Sequence, residues 1–354
     1  METVLNNFCA EGLNVLSLFD GMSCGQLALQ KAGIKVNQYY AAEIDKYAMQ
    51  VTQKNFPNTI QLGDVTKVKG ADLPKIDLII GGSPCQGFSF AGKGLNFEDE
   101  RSKLFFEFVR LINECKPKWF FLENVKMKKE HELVISQYMK VAPIEINSAL
   151  VSAQNRVRLY WTNINEKPYG LFGDMMADIP QPKDKGILLK DILQSDAPDK
   201  YFLSSKMIAC LKGHERFNKY TTETLFSENK SSCLNARLHK MGNGDVYIKI
   251  DKKGNTKHNQ DKASCFTAGG NSGGNHSDMD LIVENENVRR LTPTECERLQ
   301  TVPDGYTDCV SDTQRYRMLG NGWTVDVIAH FFVFLKEEKK LFKTEPKCLI
   351  EAQT

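Results

Sequence analysis

One cysteine in this 354-residue chain stands where chemistry is the natural explanation for it. Cys85 follows Pro84 in Gly81-Gly-Ser-Pro-Cys-Gln-Gly87, a glycine-flanked loop after an apolar run, which makes poor core filler. Backbone N–H groups in such a loop lower a thiol's pKa and expose its thiolate as a nucleophile. Glu123-Asn124 closes the next apolar run, residues 118–122. A carboxylic acid buried there would stay protonated and donate a hydrogen bond. Gln154-Asn-Arg-Val-Arg158 sets Arg156 and Arg158 on one face of an extended stretch. The competing explanation of that stretch is a surface strand carrying salt bridges. Thiol, acid and guanidinium together suit nucleophilic attack on a polar ring.

A second group of residues reads as a nucleotide site. Phe19-Asp-Gly-Met-Ser-Cys-Gly25 is a strand-to-helix turn with glycines where backbone must approach a ligand closely. Glu43 follows Gly21 at about the 20-residue spacing of the acid that binds ribose hydroxyls. The turn lacks the G-x-G-x-x-G pattern that holds a pyrophosphate, so a cofactor with ribose and no phosphate fits better. Taken alone, the turn is equally well explained as an ordinary strand–helix connection.

These residues need elements to position them, and the first half of the chain supplies alternating strands and helices. Apolar runs at 14–19, 38–42, 77–80 and 118–122 read as strands, with helical spacing at 26–32 and 103–115 between them. That order predicts a mostly parallel sheet covered by helices on both faces. Ligands of such sheets bind beyond the carboxyl ends of the strands. Phe19 to Gly21, Glu43, Asp64, Gly82 to Cys85 and Glu123 all fall at or just past those ends, which predicts one shared pocket. Residues 183–274 lack a long helical repeat and read as a smaller, mainly β unit. Within it, Lys230-Ser-Ser-Cys-Leu-Asn-Ala236 and Lys262-Ala-Ser-Cys-Phe-Thr-Ala268 echo one another, as related strands or by coincidence. Helical order returns at 292–299 and 325–335.

Composition bounds the class. The chain is 41% hydrophobic and 25% charged, as globular proteins are, which excludes disorder and coiled coil as the main architecture. No apolar run reaches the roughly 18 residues of a membrane span, and the first ten residues do not form a secretory signal. A cytoplasmic protein is expected. Ten cysteines show neither a C-x-x-C pair nor His partners at metal spacing, so neither a disulfide framework nor a metal is expected. Net charge is +2, yet residues 199–262 carry thirteen Lys and Arg against seven Asp and Glu, a local +6 that leaves −4 elsewhere. A basic segment beside an acidic body is a footprint for a polyanion, or simply solvated surface.

At these residues the chain closely resembles the cytosine-C5 DNA methyltransferases. Phe19-Asp-Gly, Glu43, Gly63-Asp64, Gly82-Ser-Pro-Cys-Gln86, Glu123-Asn-Val125, Gln154-x-Arg-x-Arg158, Arg290-Leu-Thr-Pro-x-Glu-Cys-x-Arg-Leu-Gln300 and Leu319-Gly-Asn321 stand in that family's order. Leu16-Ser-Leu-Phe-Asp-Gly21 and Leu104-Phe-Phe-Glu-Phe108 look particularly like the catalytic domains of the mammalian de novo enzymes. The resemblance implies a Rossmann-like methyltransferase sheet at 1–164 plus 288–354, and a mainly β target-recognition domain at 165–287. It implies S-adenosyl-L-methionine as cofactor, with no metal. Phe19 would lie against the adenine, Glu43 on the ribose and Asp64 on the adenine amine. Val65 and Pro84 belong to the same pocket, Asp20 and Gly21 to the turn holding the methionine end, and Asn321 reaches back from the far end of the chain. Ile44 stands where relatives often place Trp, which removes a stacking face, and Ser17, Ser23 and Cys24 also depart from the bacterial pattern.

The mechanism so implied has Cys85 attack C6 of a cytosine flipped out of duplex DNA. Glu123 would hold N3 and the exocyclic amine and Arg158 would contact O2, with Arg156 supporting the same loop. Attack at C6 drives charge toward N3 and O2, so an acid and a cation belong there. Lys and Arg of the basic segment would neutralise phosphates, while Arg237, Asn271, Asn275 and His276 are candidates for reading bases. The loop 269–274 would approach the DNA backbone or merely connect a hairpin. The expected partners are double-stranded DNA and, in a restriction–modification setting, a cognate restriction endonuclease; a monomer and no membrane are expected. Cys265-Phe-Thr267 matches a signature of a related tRNA-modifying branch, the alternative enzyme reading. A silent DNA-binding regulator would have lost the thiol or the acid, and both are present.

Overall fold

In the computed structural model, residues 12–83, 100–169, 174–203, 247–249, 263–264, 281–284 and 287–341 are described. The chain begins with β1 (Leu13–Leu18), α1 (Cys24–Lys31), β2 (Val36–Ala42), α2 (Lys46–Asn55) and the two-residue β3 (Ile60–Gln61). It continues through β4 (Leu78–Gly82), α3 (Glu100–Cys115), β5 (Trp119–Val125) and α4 (Lys129–Met139). Short strands follow: β6 (Val141–Ala142), β7 (Ile144–Asn147), β8 (Gln154–Asn155), β9 (Val157–Thr162), β10 (Glu166–Tyr169) and β11 (Asp174–Ala177). After α5 (Leu189–Ile192) come β12 (Tyr247–Lys249), β13 (Ala263–Ser264), β14 (Leu281–Glu284) and β15 (Asn287–Arg290). Three helices end the described chain: α6 (Pro293–Leu299), α7 (Asp312–Asn321) and α8 (Val325–Leu341).

Seven strands form one sheet in the order β3-β2-β1-β4-β5-β9-β7. The pairs from β3 to β5 are parallel, and β9 and β7 return antiparallel. Strands buried on both faces need apolar residues at every position, and this sheet shows why. Leu13 and Val15 of β1 enter the same buried cluster as Phe331, Phe332 and Leu335 of α8, whereas Leu16 and Leu18 enter the opposite one with Phe105 and Phe108 of α3. Leu78 and Ile80 of β4 split from Ile79 in the same way. The fold is thus a Rossmann-like α/β sheet with helices on both faces. The chain runs outward from β1 to β3 and then returns to β4, so the order reverses between β1 and β4. A crevice opens beyond the carboxyl ends of strands at such a reversal, and Phe19 and Ser83 follow those two ends.

Local chemistry fixes the helix ends. Asp45 caps α2 by accepting from the Tyr47 N–H at 2.9 Å. Thr292 and Glu295 form a reciprocal capping box on α6, with Pro293 at its first turn. Among the described residues, no single helix is long and apolar enough to cross a membrane.

The division expected between residues 164 and 165 does not coincide with an edge of this core. Ala177, Ile179, Leu189, Ile192 and Tyr201 are buried in the same cluster as β1 and α8, because apolar side chains recur through residues 177–201. Strand β11 pairs with β6, and the β14–β15 hairpin straddles the expected return at 288. Residues up to about Tyr201 therefore pack with the large sheet.

Candidate active site

The turn after β1 is held in an unusual backbone conformation. Phe19, Gly21 and Ser23 all have positive φ, at 58°, 59° and 63°. Non-glycine residues there cost roughly 1–3 kcal/mol each, so neighbouring structure must impose the shape. Several groups do so. The Phe19 and Asp20 N–H groups donate to the Ala42 carbonyl at 2.9 and 3.3 Å. The Gly21 N–H donates to Glu43 Oε2 at 2.7 Å, while Glu43 Oε1 accepts from the N–H groups of Ile44 and Asp45 at 2.8 Å each. From the far end of the chain, the Tyr306 hydroxyl donates to the Met22 carbonyl at 2.7 Å. Glu43 is thus the acid at the end of β2 that fastens the turn.

Beneath the turn lies a buried polar group. The Tyr39 hydroxyl donates to Asp20 Oδ1 at 2.8 Å, and the Ser17 and Ser23 side chains lie beside the same carboxyl with both serines buried. Burial pushes the Asp20 carboxyl up to about 6, against the lowering influence of the Ser17, Ser23 and Tyr39 hydroxyls. Asp64 caps a short 3-10 turn, Val65–Lys67, with Oδ1 accepting from the Thr66 N–H at 3.0 Å and the Thr66 hydroxyl at 2.8 Å. Those two donors hold its carboxyl below the usual range. Ile44 is 77% exposed beside Glu43, and Val65 is buried.

The acid and the arginines meet across β5 and β9. Glu123 lies opposite Tyr160 and Val125 opposite Arg158, so Glu123 and Arg158 are diagonal neighbours on one face. Arg158 Nε stands 3.1 Å from Glu123 Oε1, and both side chains are about nine-tenths buried. Glu123 is therefore inside β5, which runs on to Val125, rather than just past its end. The Trp323 indole Nε1 donates to the other carboxylate oxygen at 3.0 Å. Next to Glu123, the Asn124 amide donates to the Ser83 carbonyl and hydroxyl at 3.3 and 3.1 Å, tying the end of β4 to β5.

Arg156 is buried too, but its guanidinium goes elsewhere, to the carbonyls of Gly320 and Gly322 at 3.2 and 3.0 Å. It secures the end of α7, where Asn321 is exposed. A surface strand with salt bridges is thereby excluded for 154–158. A fully paired network continues around it. The Gln154 amide donates to the Leu299 carbonyl and Gln300 Oε1, and the Gln300 amide donates to the Leu319 carbonyl at 2.7 Å. The Ser148 hydroxyl donates to Thr324 Oγ1 at 2.9 Å. This network welds three separated stretches of sequence into one wall, and paired buried networks of this kind fix geometry. A methyl group at Gly322 would lie 2.8 Å from the end of Met22, so the same wall touches the turn after β1.

The structure thus gathers Phe19, Asp20, Gly21, Glu43 and Ile44 around the end of β1, and Glu123 and Arg158 across β5 and β9, with Asn321 on the segment that joins them. Arg156 serves the wall rather than the Glu123 carboxyl. Pro84 and Cys85 lie outside the described residues, as do Arg237, Asn271, Asn275, His276, 269–274 and Cys265 to Thr267. Among the described cysteines, Cys24 is no rival nucleophile, since burial raises its thiol to about 12. Burial raises Cys115 as well. Trp323 and Tyr39 carried no motif, and Tyr39 was legible only as the apolar part of a strand.

Residues 13–336 match the C-5 cytosine-specific DNA methylase family. The chain belongs to that family. The methylase is 34% identical over 325 residues to the Type II methyltransferase M1.ScrFI of Lactococcus lactis subsp. cremoris, covering 89% of this chain and 75% of the relative. It is 31% identical over 325 residues to M.NlaX of Neisseria lactamica, covering 89% and 93%. Among solved structures, the Entamoeba histolytica methyltransferase EhMeth superposes with a TM-score of 0.66 at 18% identity, over 93% of this chain and 99% of that one, a likeness of fold. The methylase is a DNA (cytosine-5-)-methyltransferase that depends on S-adenosylmethionine. Two glycines leave room for that cofactor: Gly21 in the turn after β1 and Gly63 after β3 have positive φ with nothing within 4 Å of an added methyl group. Exposed Ile44 beside Glu43 offers an apolar face.

Proposed function

We propose that this methylase modifies cytosine through a covalent adduct between Cys85 and C6 of a base flipped from duplex DNA. The observation that carries the reading is the buried Glu123–Arg158 pair at 3.1 Å, beside the end of the strand that leads to Cys85. The Cys85 sulfur bonds to C6, and the electrons of the 5,6 double bond move toward N3 and O2. Glu123 holds N3 and the exocyclic amine, and Arg158 sits at O2, where the charge collects. Bound S-adenosylmethionine supplies the methyl group for C5 on a sulfonium that needs no further activation. A base then takes the C5 proton and the Cys85–C6 bond breaks, restoring the ring. Phe19, Ile44 and Val65 flank the adenine, with Pro84 beside them. Glu43 is placed for the ribose, Asp64 for the adenine amine, Asp20 and Gly21 for the methionine end, and Asn321 closes the pocket from α7. Arg156 keeps that closure in place.

The segment between about 203 and 281, which carries the basic excess, is assigned to target recognition. The enzyme acts as a cytoplasmic monomer that protects DNA, alone or beside a cognate restriction endonuclease; its similarity to proteins named as Type II methyltransferases supports this role. Bisulfite sequencing of DNA from cells expressing the protein tests the reading. Protected cytosines in one sequence context are expected, and all are lost in Cys85→Ser. Complete conversion, retained protection in the serine variant, or label on tRNA in place of DNA refutes it.

A further inference from the structure

We infer that Trp323 is a positioning residue for the acid Glu123: its indole N–H fixes the carboxyl plane for the pyrimidine and couples the cofactor wall to the base site. The inference rests on the proposed role of Glu123.

An indole nitrogen only donates, so the direction of the 3.0 Å contact to Glu123 Oε2 is unambiguous. Arg158 Nε stands 3.1 Å from Oε1, so a cation faces one oxygen of the carboxyl and the indole donor holds the other. The space for this contact is built into the end of β4. A methyl group on Gly82 would fall 2.9 Å from Trp323 Nε1 and 3.0 Å from Glu123 Oε2, too close to either. Gly82 is therefore the residue under which indole and carboxyl meet, three positions before Cys85.

The ring itself is held. It meets Phe121 of β5 edge-on at 5.8 Å and 72°, and its Cζ3 lies 3.4 Å from where a methyl group on Gly25 of α1 would stand. The residue before it is anchored by Arg156 through the Gly322 carbonyl at 3.0 Å, and lies against Met22 in the turn after β1 and Cys24 at the start of α1. One residue thus joins the turn that suits the cofactor to the acid that faces the base. A donor prearranged in this way acts on kcat, because it keeps the acid where the transition state needs it.

The test compares Trp323→Phe, which keeps a ring and loses the donor, with Trp323→His, Glu123→Gln and the Trp323→Phe/Glu123→Gln double variant. Tritiated S-adenosylmethionine and unmethylated bulk duplex DNA serve as substrates, under multiple and single turnover. Trp323→Phe is expected to lower kcat about ten- to a hundredfold, the worth of one strong hydrogen bond, with both KM values within about twofold. The His variant, with a ring N–H, recovers part of that loss, and the double variant is no slower than Glu123→Gln alone. Wild-type kcat in the Phe variant, a loss confined to the cofactor KM, equal loss in Phe and His, or losses that multiply in the double variant overturn the inference. Gly82→Ala guards against a Trp323 variant that does not fold: it leaves the indole in the sequence, and unchanged kcat in it also overturns the inference. Wild-type rate in Glu123→Gln would instead overturn the role of the acid itself, a result obtained without touching Trp323.

Discussion

The buried carboxyl of Asp20 makes the folding stability of this enzyme depend on pH in a defined direction. Burial raises it from an ordinary 3.8 to about 6, and the nearby Glu43 carboxylate adds to the rise. A carboxyl raised in the folded state contributes stability below its unfolded value, and that contribution is lost as pH climbs through about 6. The rise corresponds to about 3 kcal/mol in all, of which about 2 kcal/mol is lost between about pH 4.5 and about pH 8. Asp20→Asn cannot ionise, yet its amide oxygen still accepts from the Tyr39 hydroxyl. Relative to the parent, the Asn variant gains about 2 kcal/mol of unfolding free energy between those two pH values, whatever constant offset the amide introduces. Urea unfolding of both proteins without cofactor measures the change, and titration of every other group cancels in the comparison. An offset equal at both pH values, or one that grows toward acid, refutes burial as the dominant influence on Asp20.

Other perturbations follow from the same structure. Gly21→Ala meets no protein atom within 4 Å, so stability falls only about 1–2 kcal/mol from the positive φ. A cofactor Kd raised more than about tenfold, measured by calorimetry, is expected because the new methyl group enters the space assigned to the ligand. The fully buried Arg289–Glu295 pair, at 2.9 Å, predicts that Arg289→Met costs about 3–5 kcal/mol in urea unfolding. Pairing it with Glu295→Gln recovers much of that loss, since an amide no longer needs the cation.

Much of this arrangement was legible in the residues, for a physical reason. Strands β1, β4 and β5 are buried on both faces, so they show as continuous apolar runs, and α3 shows its apolar face with them. Helices α2, α4 and α7 bury few side chains each and are otherwise mostly polar, so their sequences resemble loops. The antiparallel return of β9 and β7 depends on strands of four and six residues without turn signals, and it is this return that extends β5 past Glu123. The change in composition near 165 is not a change in core, since Ala177, Ile179, Leu189, Ile192 and Tyr201 fill the same cluster as β1. Arg156 and Arg158 share a motif and a spacing but not a partner, since the sequence does not show that the end of α7 arrives beside one of them. Trp323 contacts an acid 200 positions away, a pairing that only the folded chain creates.

The clasp between the turn after β1 and the segment from Tyr306 to Trp323 also sets the order of events on the ribosome. Roughly 300 residues separate the two, so the strained turn emerges tens of seconds before the groups that hold it. During that interval one side of the nascent sheet lacks Phe331, Phe332 and Leu335 and remains wet and sticky, a surface for chaperones. A polypeptide terminated before α8 would keep Leu13, Val15, Leu78 and Ile80 without the Phe331, Phe332 and Leu335 side chains that fill their cluster.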